Sequence, residues 1–450
     1  MSAKASRRAT IVCAAVAAGI GMAVTATAAF HPAVLAHYAD SVDSVGIAQW
    51  AEKADASDVL RWWTGTWIQA DSYYYRPLAS MLFWAEHLLF GYNFQGHVLI
   101  SWLLHAGVCV CIFALTLRLY PGQRRIALVT GLLAVLLANL RLTPEGPHWE
   151  VGPVASAVVA WWPAQTDQAS LLLSLLALLA LDRWLQSEDG RGLAKAGGLW
   201  LAGVLFKEMA VVLPLLAGLL ILMRRGLQAL RVFERDEKGA LRLSPGLVWR
   251  IVLPAIAAMA LFVAARPLIV PGAWGVEREP MAFYLHKVIF LLFPRPWMIL
   301  VSQGVWGPIA AVFTALTVVV YVRLRTRPCV IWLILALVVG NGLIAQLAGG
   351  SFALLTFLGQ LANLGTLTLL ALGLIVLAHV REGWVWGVLG MALVVHLPLL
   401  HVWGPHYFYW PAAFWGLLNA GLWHWAWLRH REGTLRWSPA ARHEPEAGTD

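Results

Sequence analysis

Apolar runs of roughly 17 to 25 residues, each long enough to cross a bilayer as a helix, recur along this chain of 450 residues. Short polar or basic segments separate them. The pattern predicts an all-α integral membrane protein. Its predicted spans are residues 10–30, 97–117, 125–140, 168–186, 249–270, 304–322, 328–347, 352–378, 384–401 and 411–428.

One further apolar run, residues 196–223, is interrupted by Lys207 and Glu208. The segments before and after it are basic, and an excess of lysine and arginine in short loops marks the cytoplasmic side of a membrane protein. Because both flanks are then cytoplasmic, the run is predicted to be a hairpin of two short helices with Lys207-Glu208 near its outer turn. A charged pair at that depth needs a polar cavity or a partner.

With the hairpin, the chain is predicted to cross the membrane about twelve times, with both termini in the cytoplasm. One polytopic domain covers residues 1–428, and residues 429–450 form a polar cytoplasmic tail. The first residues also fit a signal peptide that ends near residue 28, so cleavage and a retained first helix are both open. The predicted extracytoplasmic segments are a large loop one (31–96), loop two (141–167) and a third outer segment (271–303).

Composition and charge narrow the class of protein. The chain is 60% hydrophobic and 13% charged, with a mean hydropathy of +0.68, whereas about a quarter of a soluble domain is charged. The net charge of +9 could indicate nucleic acid binding, but the basic residues are grouped between apolar runs, as membrane topology requires. We therefore expect a lipid bilayer as partner and no nucleic acid.

Candidate chemistry begins with two carboxylates, Asp40 and Asp43, shortly after the first apolar run. Their spacing of three places both on one side of the segment if it is helical. A carboxylate near the membrane surface can accept a proton from a hydroxyl group. Two together can also hold a divalent cation such as Mg²⁺ or Mn²⁺ through hard oxygen ligands. Solvated loops also collect aspartates, so spacing alone leaves these alternatives open.

Further along loop one the chain reads Tyr75-Arg76-Pro77-Leu78, then Leu89-Phe90-Gly91-Tyr92-Asn93, followed by His97 and His105. A guanidinium group near lipid headgroups, such as that of Arg76, is a natural bidentate partner for phosphate oxygens. The alternative for Arg76 is anchoring at the membrane interface. For the Lys-Glu pair of the hairpin, the alternative to phosphate binding is a salt bridge that only neutralises two buried charges.

These motifs resemble the first outer loop and the Lys-Glu hairpin of the GT-C superfamily of membrane glycosyltransferases, especially the branch that includes the protein O-mannosyltransferases. The resemblance implies a GT-C-like fold and a base or metal-ligand role for Asp40 and Asp43. The family often has an adjacent acidic pair, whereas this chain has Asp-Ser-Val-Asp. Which of the two carboxylates acts is therefore open.

The resemblance also implies a set of substrate-binding residues. In loop two, Gln165 stands near the place where relatives have a basic residue, and the match there is weaker. For the cations of the third outer segment, a generic loop position is the alternative to binding the carrier phosphate. The candidate substrate-binding residues are Tyr75, Arg76, His97, Glu150, Asp167, Lys207, Glu208, Lys287 and Arg295.

The implied function is that of a bacterial inner-membrane glycosyltransferase. It would move a sugar from a polyprenyl-phosphate carrier to a hydroxyl group of a protein, lipid or glycan acceptor on the extracytoplasmic side, with inversion. The alternatives are a non-catalytic assembly subunit and a transporter or flippase for a lipid-linked or anionic solute. Transport predicts ionisable residues within the spans and two repeated halves. The predicted spans are nearly free of ionisable side chains, which favours the enzyme.

A first prediction follows from this assignment. Asp40→Asn or Asp43→Asn should abolish sugar transfer, because an amide cannot accept the hydroxyl proton or hold a cation as a carboxylate does. Expression and membrane insertion should be unchanged. Full transfer activity in both single variants and in the double variant would remove these two residues from the mechanism.

Overall fold

A computed structural model describes the longer stretches 29–69, 74–120, 158–187, 189–235, 241–243, 245–270 and 383–398. It also describes residues 19, 22–23, 25–26, 140–141, 152–153, 409–411, 413–414, 416–418 and 421. These residues are mostly helical. Among the described residues, four helical segments are long and apolar enough to cross a membrane: Phe94–Leu119, Trp162–Ser187, Glu208–Leu230 and Leu247–Ala265.

Loop one is built of helices in the structure. They are α1 (Pro32–Ala39), α2 (Val42–Lys53), α3 (Asp58–Thr64) and α4 (Pro77–Phe90). The side chain of Ser41 caps α2 by accepting the backbone N–H of Ser44, which satisfies one of the free donors at a helix start. Proline occupies the first position of α4, where its missing N–H costs no hydrogen bond. Helices α2 to α4 pack around a buried core of Trp62, Trp67, Ile68 and Phe83.

Six further helices follow along the described part of the chain. They are α5 (Phe94–Leu119), α6 (Gln165–Ser187), α7 (Gly190–Phe206), α8 (Leu213–Arg225), α9 (Leu247–Ile269) and α10 (Gly383–Val394). A 3₁₀ turn, Trp162–Ala164, leads into α6, and another, Gly226–Leu230, follows α8. Strand β1 (Leu140–Arg141) pairs antiparallel with β2 (Gly152–Pro153), and β3 (Phe233–Arg235) with β4 (Leu241–Leu243).

The predicted spans 97–117, 168–186 and 249–270 are confirmed as helices by α5, α6 and α9. The two helices predicted on either side of Lys207-Glu208 are also confirmed, because α7 and α8 are separated by Lys207 and by a 3₁₀ turn over Glu208–Val212. The spans predicted at 125–140, 304–322, 328–347 and 352–378 lie almost entirely outside the described residues. The number of crossings and the sides of the membrane stay predictions.

The two ends of this helix group carry different polar contacts. Asp167 lies in the first turn of α6 and Asp182 near its end, so about 22 Å of helix separates them at 1.5 Å per residue. We call the end that contains Asp167 and Lys207 the Lys207 end, and the other the Arg224 end. Leucine and isoleucine side chains fill the core between them, among them Ile112, Leu171, Leu175, Leu216 and Leu220.

Asp182 joins three helices at the Arg224 end. Its side chain is fully buried and accepts hydrogen bonds from Arg118 of α5 at 3.1 Å and from Arg224 of α8 at 2.7 Å. Arg224 also donates to the backbone carbonyl of Arg118 at 3.0 Å. Because the ends of α5, α6 and α8 meet at one carboxylate, this contact fixes how these helices are aligned along their lengths.

The second prediction tests this contact. Asp182→Asn should lower the free energy of unfolding by about 1–3 kcal/mol, because two arginines then lose their shared carboxylate. The measurement is thermal unfolding of the full chain in detergent, followed by tryptophan fluorescence. The control is Arg61→Gln, which removes an exposed ion pair to Asp58 and should change the free energy by less than about 1 kcal/mol. Equal melting temperatures for the two variants would contradict the prediction.

Candidate functional site

Four charged side chains from three separate segments meet at the Lys207 end. The Nε and Nη2 groups of Arg76, just before α4, donate to Glu208 Oε2 at 3.1 and 2.8 Å. The Nζ group of Lys207 donates to Asp167 Oδ2 at 2.5 Å. We call these four residues the charged cluster. It connects loop one, the start of α6 and the turn between α7 and α8.

The two ion pairs differ in burial. The side chains of Lys207 and Asp167 are 5% and 1% exposed, whereas those of Arg76 and Glu208 are 9% and 28% exposed. The Lys207–Asp167 pair therefore forms the inner part of the cluster, and the Glu208 carboxylate is its most accessible group. With two cations and two carboxylates, the charged cluster has no net charge when all four groups are ionised.

Backbone contacts hold the inner pair in place. Lys207 has extended backbone angles (φ −161°, ψ 144°) and ends α7. The hydroxyl of Ser170 donates to the backbone carbonyls of Gly203 at 2.9 Å and Lys207 at 3.3 Å. The indole of Trp410 donates to the backbone carbonyl of Asp167 at 3.3 Å. Helix α6 thus makes additional hydrogen bonds to the backbone where α7 ends, which holds the turn against the start of α6.

Aromatic rings surround the outer pair. The guanidinium carbon of Arg76 lies 4.0 Å from the ring centre of Tyr74 and 5.3 Å from that of Trp67. These two rings contact each other edge to face, with centres 5.6 Å apart. A cation over an aromatic face is attracted by the ring quadrupole. The rings therefore hold the guanidinium plane beside Glu208.

Some buried acceptor atoms next to the charged cluster have no hydrogen-bond partner within the described residues. They include Asp167 Oδ1 and Gln165 Oε1. Buried polar atoms are usually hydrogen-bonded in native proteins. Asp167 Oδ1 belongs to the charged cluster itself, and Gln165 lies two residues before Asp167 at the start of α6.

The structure places the two predicted catalytic carboxylates elsewhere. Asp40 lies in the break between α1 and α2, and Asp43 lies in the first turn of α2. The chain starts a new helix at the Ser41 cap, so the condition for a shared helical side is not met. Both side chains are exposed, and within the described residues neither forms an ion pair with Arg76 or Lys207.

If Asp40 and Asp43 bind a metal ion, the part of the chain that the structure describes supplies no third ligand. No group of three or more His, Cys, Asp or Glu side chains is arranged there to hold a metal ion. The catalytic and metal-binding roles of these two residues stay predictions. Glu150, Lys287 and Arg295 lie outside the described residues, so their roles stay predictions as well.

Two other predicted binding residues are buried in packing contacts. The hydroxyl of Tyr75 donates to the backbone carbonyl of Trp63 at 3.0 Å, and its ring lies 6.0 Å from that of Phe262. Burial raises the pKa of Tyr75. His97 lies against Glu86 and stacks on Trp162, with ring centres 3.8 Å apart. The side chains of both residues therefore make packing contacts with neighbouring residues.

The sequence analysis missed Glu86. Its carboxylate is 2% exposed and accepts hydrogen bonds from His97, Trp162 and Gln165. Its Oε1 atom is buried without a partner in the described residues, and burial is the main reason why the pKa of Glu86 is raised. A signal was present: Ala79, Phe83 and Glu86 have the spacing of one helical face, so Glu86 falls on the apolar face of α4.

The aromatic residues from His401 to Trp410 are what a belt at the membrane interface requires, but the sequence did not predict the contacts that Tyr409 and Trp410 make. Both residues are buried, and the hydroxyl of Tyr409 lies 2.7 Å from Nδ1 of His105. Together with the bond from Trp410 to Asp167, this contact brings a late segment of the chain to the Lys207 end.

Comparison with protein-family models, curated proteins and solved structures gives no match.

The third prediction concerns the inner pair. Lys207→Met should destabilise the protein by about 3–5 kcal/mol, because it leaves the buried Asp167 carboxylate without its cation. The double variant Lys207→Met with Asp167→Leu should be more stable than Lys207→Met alone, since the buried charge is then gone as well. Thermal unfolding in detergent provides the measurement for a double-mutant cycle.

The control for this cycle is Lys195→Met, the same substitution at an exposed position of α7. It should leave the melting temperature nearly unchanged. Strictly additive losses for Lys207→Met and Asp167→Leu would show that the two groups do not stabilise each other.

Proposed function

We propose that this chain is a membrane glycosyltransferase with a GT-C-like arrangement of about twelve spans. In this proposal it transfers a sugar from a polyprenyl-phosphate carrier to an acceptor hydroxyl group on the extracytoplasmic side of a bacterial inner membrane. The acceptor belongs to a protein, lipid or glycan. The sequence motifs of loop one and of the hairpin support this function class.

The observation that carries the proposal is the charged cluster. Arg76 and Lys207 are two of the cations expected to meet the carrier phosphate, and they come from segments far apart in the sequence. They lie in one cluster at the Lys207 end of the helices, which is the end where loop one leads into α5. A site for a lipid-linked phosphate needs cations at such a boundary, since the prenyl chain remains in lipid while the headgroup is polar.

The ion pairs indicate how the carrier would bind. Each cation already has a carboxylate partner, so the phosphate must replace a carboxylate. Glu208 is the more exposed partner, and Arg76 can present two parallel N–H groups to phosphate oxygens. We infer that the carrier phosphate takes the place of Glu208 at Arg76, while the buried Lys207–Asp167 pair keeps the turn in position.

When the carrier phosphate replaces Glu208 at Arg76, the Glu208 carboxylate is freed for the chemical step. In this step the acceptor oxygen attacks the anomeric carbon and forms the new glycosidic bond. The bond between that carbon and the phosphate oxygen breaks, and its electron pair leaves on the carrier phosphate. The hydroxyl proton passes to a carboxylate acting as base. A single displacement of this kind inverts the anomeric configuration, and Arg76 stabilises the charge on the departing phosphate.

Two assignments of the base compete. The sequence resemblance favours Asp40 or Asp43, whereas contact with Arg76 supports Glu208. Glu208 is partly exposed and lies 2.8 Å from the guanidinium group expected to hold the phosphate. In the described residues, Asp40 and Asp43 have no such contact. We therefore favour Glu208 as the base and keep the two aspartates as the alternative.

The fourth prediction separates these assignments. Purified protein is incubated with a panel of radiolabelled polyprenyl-phosphate sugars, and release of free polyprenyl phosphate is measured. If Glu208 is the base, Glu208→Gln should lower kcat by about a hundredfold or more. Arg76→Lys should raise KM, because a point charge replaces the bidentate group. The control Arg61→Gln, at an exposed position of α3, should leave both constants unchanged.

The other outcomes are also informative. Loss of transfer in Asp40→Asn or Asp43→Asn with full activity in Glu208→Gln would move the base to loop one. Movement of an intact carrier across a liposome bilayer, without release of polyprenyl phosphate, would replace the enzyme with a flippase. Absence of both activities in correctly folded protein would contradict the proposal.

A further inference from the structure

The buried Glu86 carboxylate has an unusual set of partners. Its Oε2 atom accepts hydrogen bonds from His97 Nδ1 at 3.1 Å, Trp162 Nε1 at 2.9 Å and Gln165 Nε2 at 3.0 Å. Among the described residues, no lysine or arginine lies within ion-pair distance of it. A carboxylate that is buried without a cation is strongly disfavoured. Within the part of the chain that the structure describes, a proton balances the charge of this group.

The ring of His97 shows where the proton is held. Its Nδ1 atom faces the Glu86 carboxyl group, and its Nε2 atom lies 3.0 Å from the backbone carbonyl of Gly91. A backbone carbonyl only accepts hydrogen bonds, and neutral imidazole has a single N–H group. Neutral His97 beside an ionised Glu86 would leave one ring nitrogen pointing at an acceptor with no hydrogen between them.

Two arrangements satisfy both contacts. In one, His97 is an imidazolium ion that donates from both nitrogens, and Glu86 is ionised. In the other, Glu86 is protonated and donates from Oε2 to Nδ1, while Nε2–H donates to the Gly91 carbonyl. Each holds one proton more than a carboxylate and a neutral imidazole. The parallel stacking of His97 on Trp162, with 19° between the ring planes, favours the cationic ring.

The same carboxylate positions the start of α6. Trp162 and Gln165 donate to Glu86, and Gln165 Nε2 also donates to the backbone carbonyl of His97 at 3.0 Å. Asp167 lies in the same helical turn as Gln165. The position of Asp167 opposite Lys207 therefore depends on the contacts that Glu86 makes.

We propose that Glu86 and His97 form a buried proton-holding pair, and that Glu86 is a positioning residue that places Asp167 in the charged cluster through Trp162 and Gln165. The effect on sugar transfer rests on the proposed function. The proton itself does not, because it follows from the hydrogen-bond geometry.

Among the described residues, few other titratable groups lie near the pair. From α4, His87 lies close enough that positive charge on His97 adds to burial in lowering the pKa of His87. From α2, Glu52 acts on His87 in the opposite direction. The groups that α6 and its leading turn place against the pair are the indole of Trp162 and the amide of Gln165, which do not titrate.

The pair should make stability depend on pH. Above about pH 6.5, the ordinary pKa of histidine, the unfolded chain releases this proton whereas the folded pair keeps it. Because the folded pair holds a proton that the unfolded chain releases, the free energy of unfolding should fall as the pH rises. Burial raises the pKa of Glu86, which agrees with a proton retained by the folded state.

The fifth prediction is spectroscopic and uses the full chain in detergent. Nitrogen NMR of ring-labelled histidine reports the protonation of His97, and infrared spectroscopy reports a protonated carboxyl group. At neutral pH the unmodified protein should show either an imidazolium His97 or a carboxyl band that is lost in Glu86→Gln. In that variant His97 should be neutral, because the amide of glutamine can donate to Nδ1 while Nε2–H still donates to Gly91.

His105 of the same helix is the internal control. Its Nδ1 faces the hydroxyl of Tyr409, which can donate, and its Nε2 lies 3.6 Å from Cys109 Sγ. A neutral ring satisfies these contacts, so its NMR signals should show one N–H group. His97→Asn identifies the His97 signals and serves as the second variant. A neutral His97 without a protonated carboxyl group in the unmodified protein would overturn the proposal.

Stability and activity measurements test the positioning role. In the unmodified protein, the equilibrium constant for folding should fall with rising pH above about pH 6.5, by at most about tenfold per pH unit for one proton. Glu86→Gln should remove this dependence, and it should flatten the matching region of the pH profile of kcat. An unchanged pH dependence of both stability and kcat in Glu86→Gln would contradict the positioning role.

If the protein transfers no sugar, the NMR, infrared and pH-dependent stability measurements still test the proton-holding pair. The proposed function would then fail while the proton-holding pair stands. Conversely, normal transfer together with a neutral His97 and no protonated carboxyl group would remove the pair and leave the proposed function in place.

Discussion

The ion pair between Lys207 and Asp167 is the contact on which the Lys207 end of the structure depends. Both side chains are almost fully buried, and either charge alone would be strongly destabilising in such surroundings. The turn between α7 and α8 can therefore lie only where Asp167 meets it, at the start of α6. Once the turn is fixed, Glu208 is positioned to receive Arg76, and loop one is attached to the same place.

Polar contacts at the helix ends determine how the helices are aligned, which the apolar surfaces between the ends do only weakly. In a membrane, leucine-rich surfaces interact with lipid about as well as with each other, so they set helix alignment weakly. Helix α6 carries a buried carboxylate near each end, Asp167 and Asp182, and each binds basic side chains from neighbouring helices. Two such contacts on one helix fix both its depth and its rotation relative to its neighbours.

The sequence predicted the parts of this arrangement that local pattern controls. Hydrophobic length gave the helices, and the basic flanks gave the hairpin with Lys207 at its turn. Partner choice was harder, because Asp167 meets Lys207 only through tertiary packing and its loop gave an incomplete motif match. Glu86 was missed since a glutamate in a helix is ordinarily exposed. For Asp40 and Asp43, the spacing of three indicated a shared side only if the segment is one helix. The Ser41 cap starts a new helix between them.

In the proposed function, the neutrality of the charged cluster explains how the free protein can hold cations that a phosphate would later bind. Unpaired arginine and lysine side chains at this depth would cost several kcal/mol each before any ligand arrived. Carboxylate partners remove that cost in the free protein, and the more exposed of them, Glu208, can be displaced at a lower cost than the buried Asp167. The gradient of burial from Asp167 to Glu208 therefore divides the cluster into a permanent pair and an exchangeable pair. An anionic headgroup would compete with Glu208 alone, and the carboxylate that it displaces would be left beside the bound sugar.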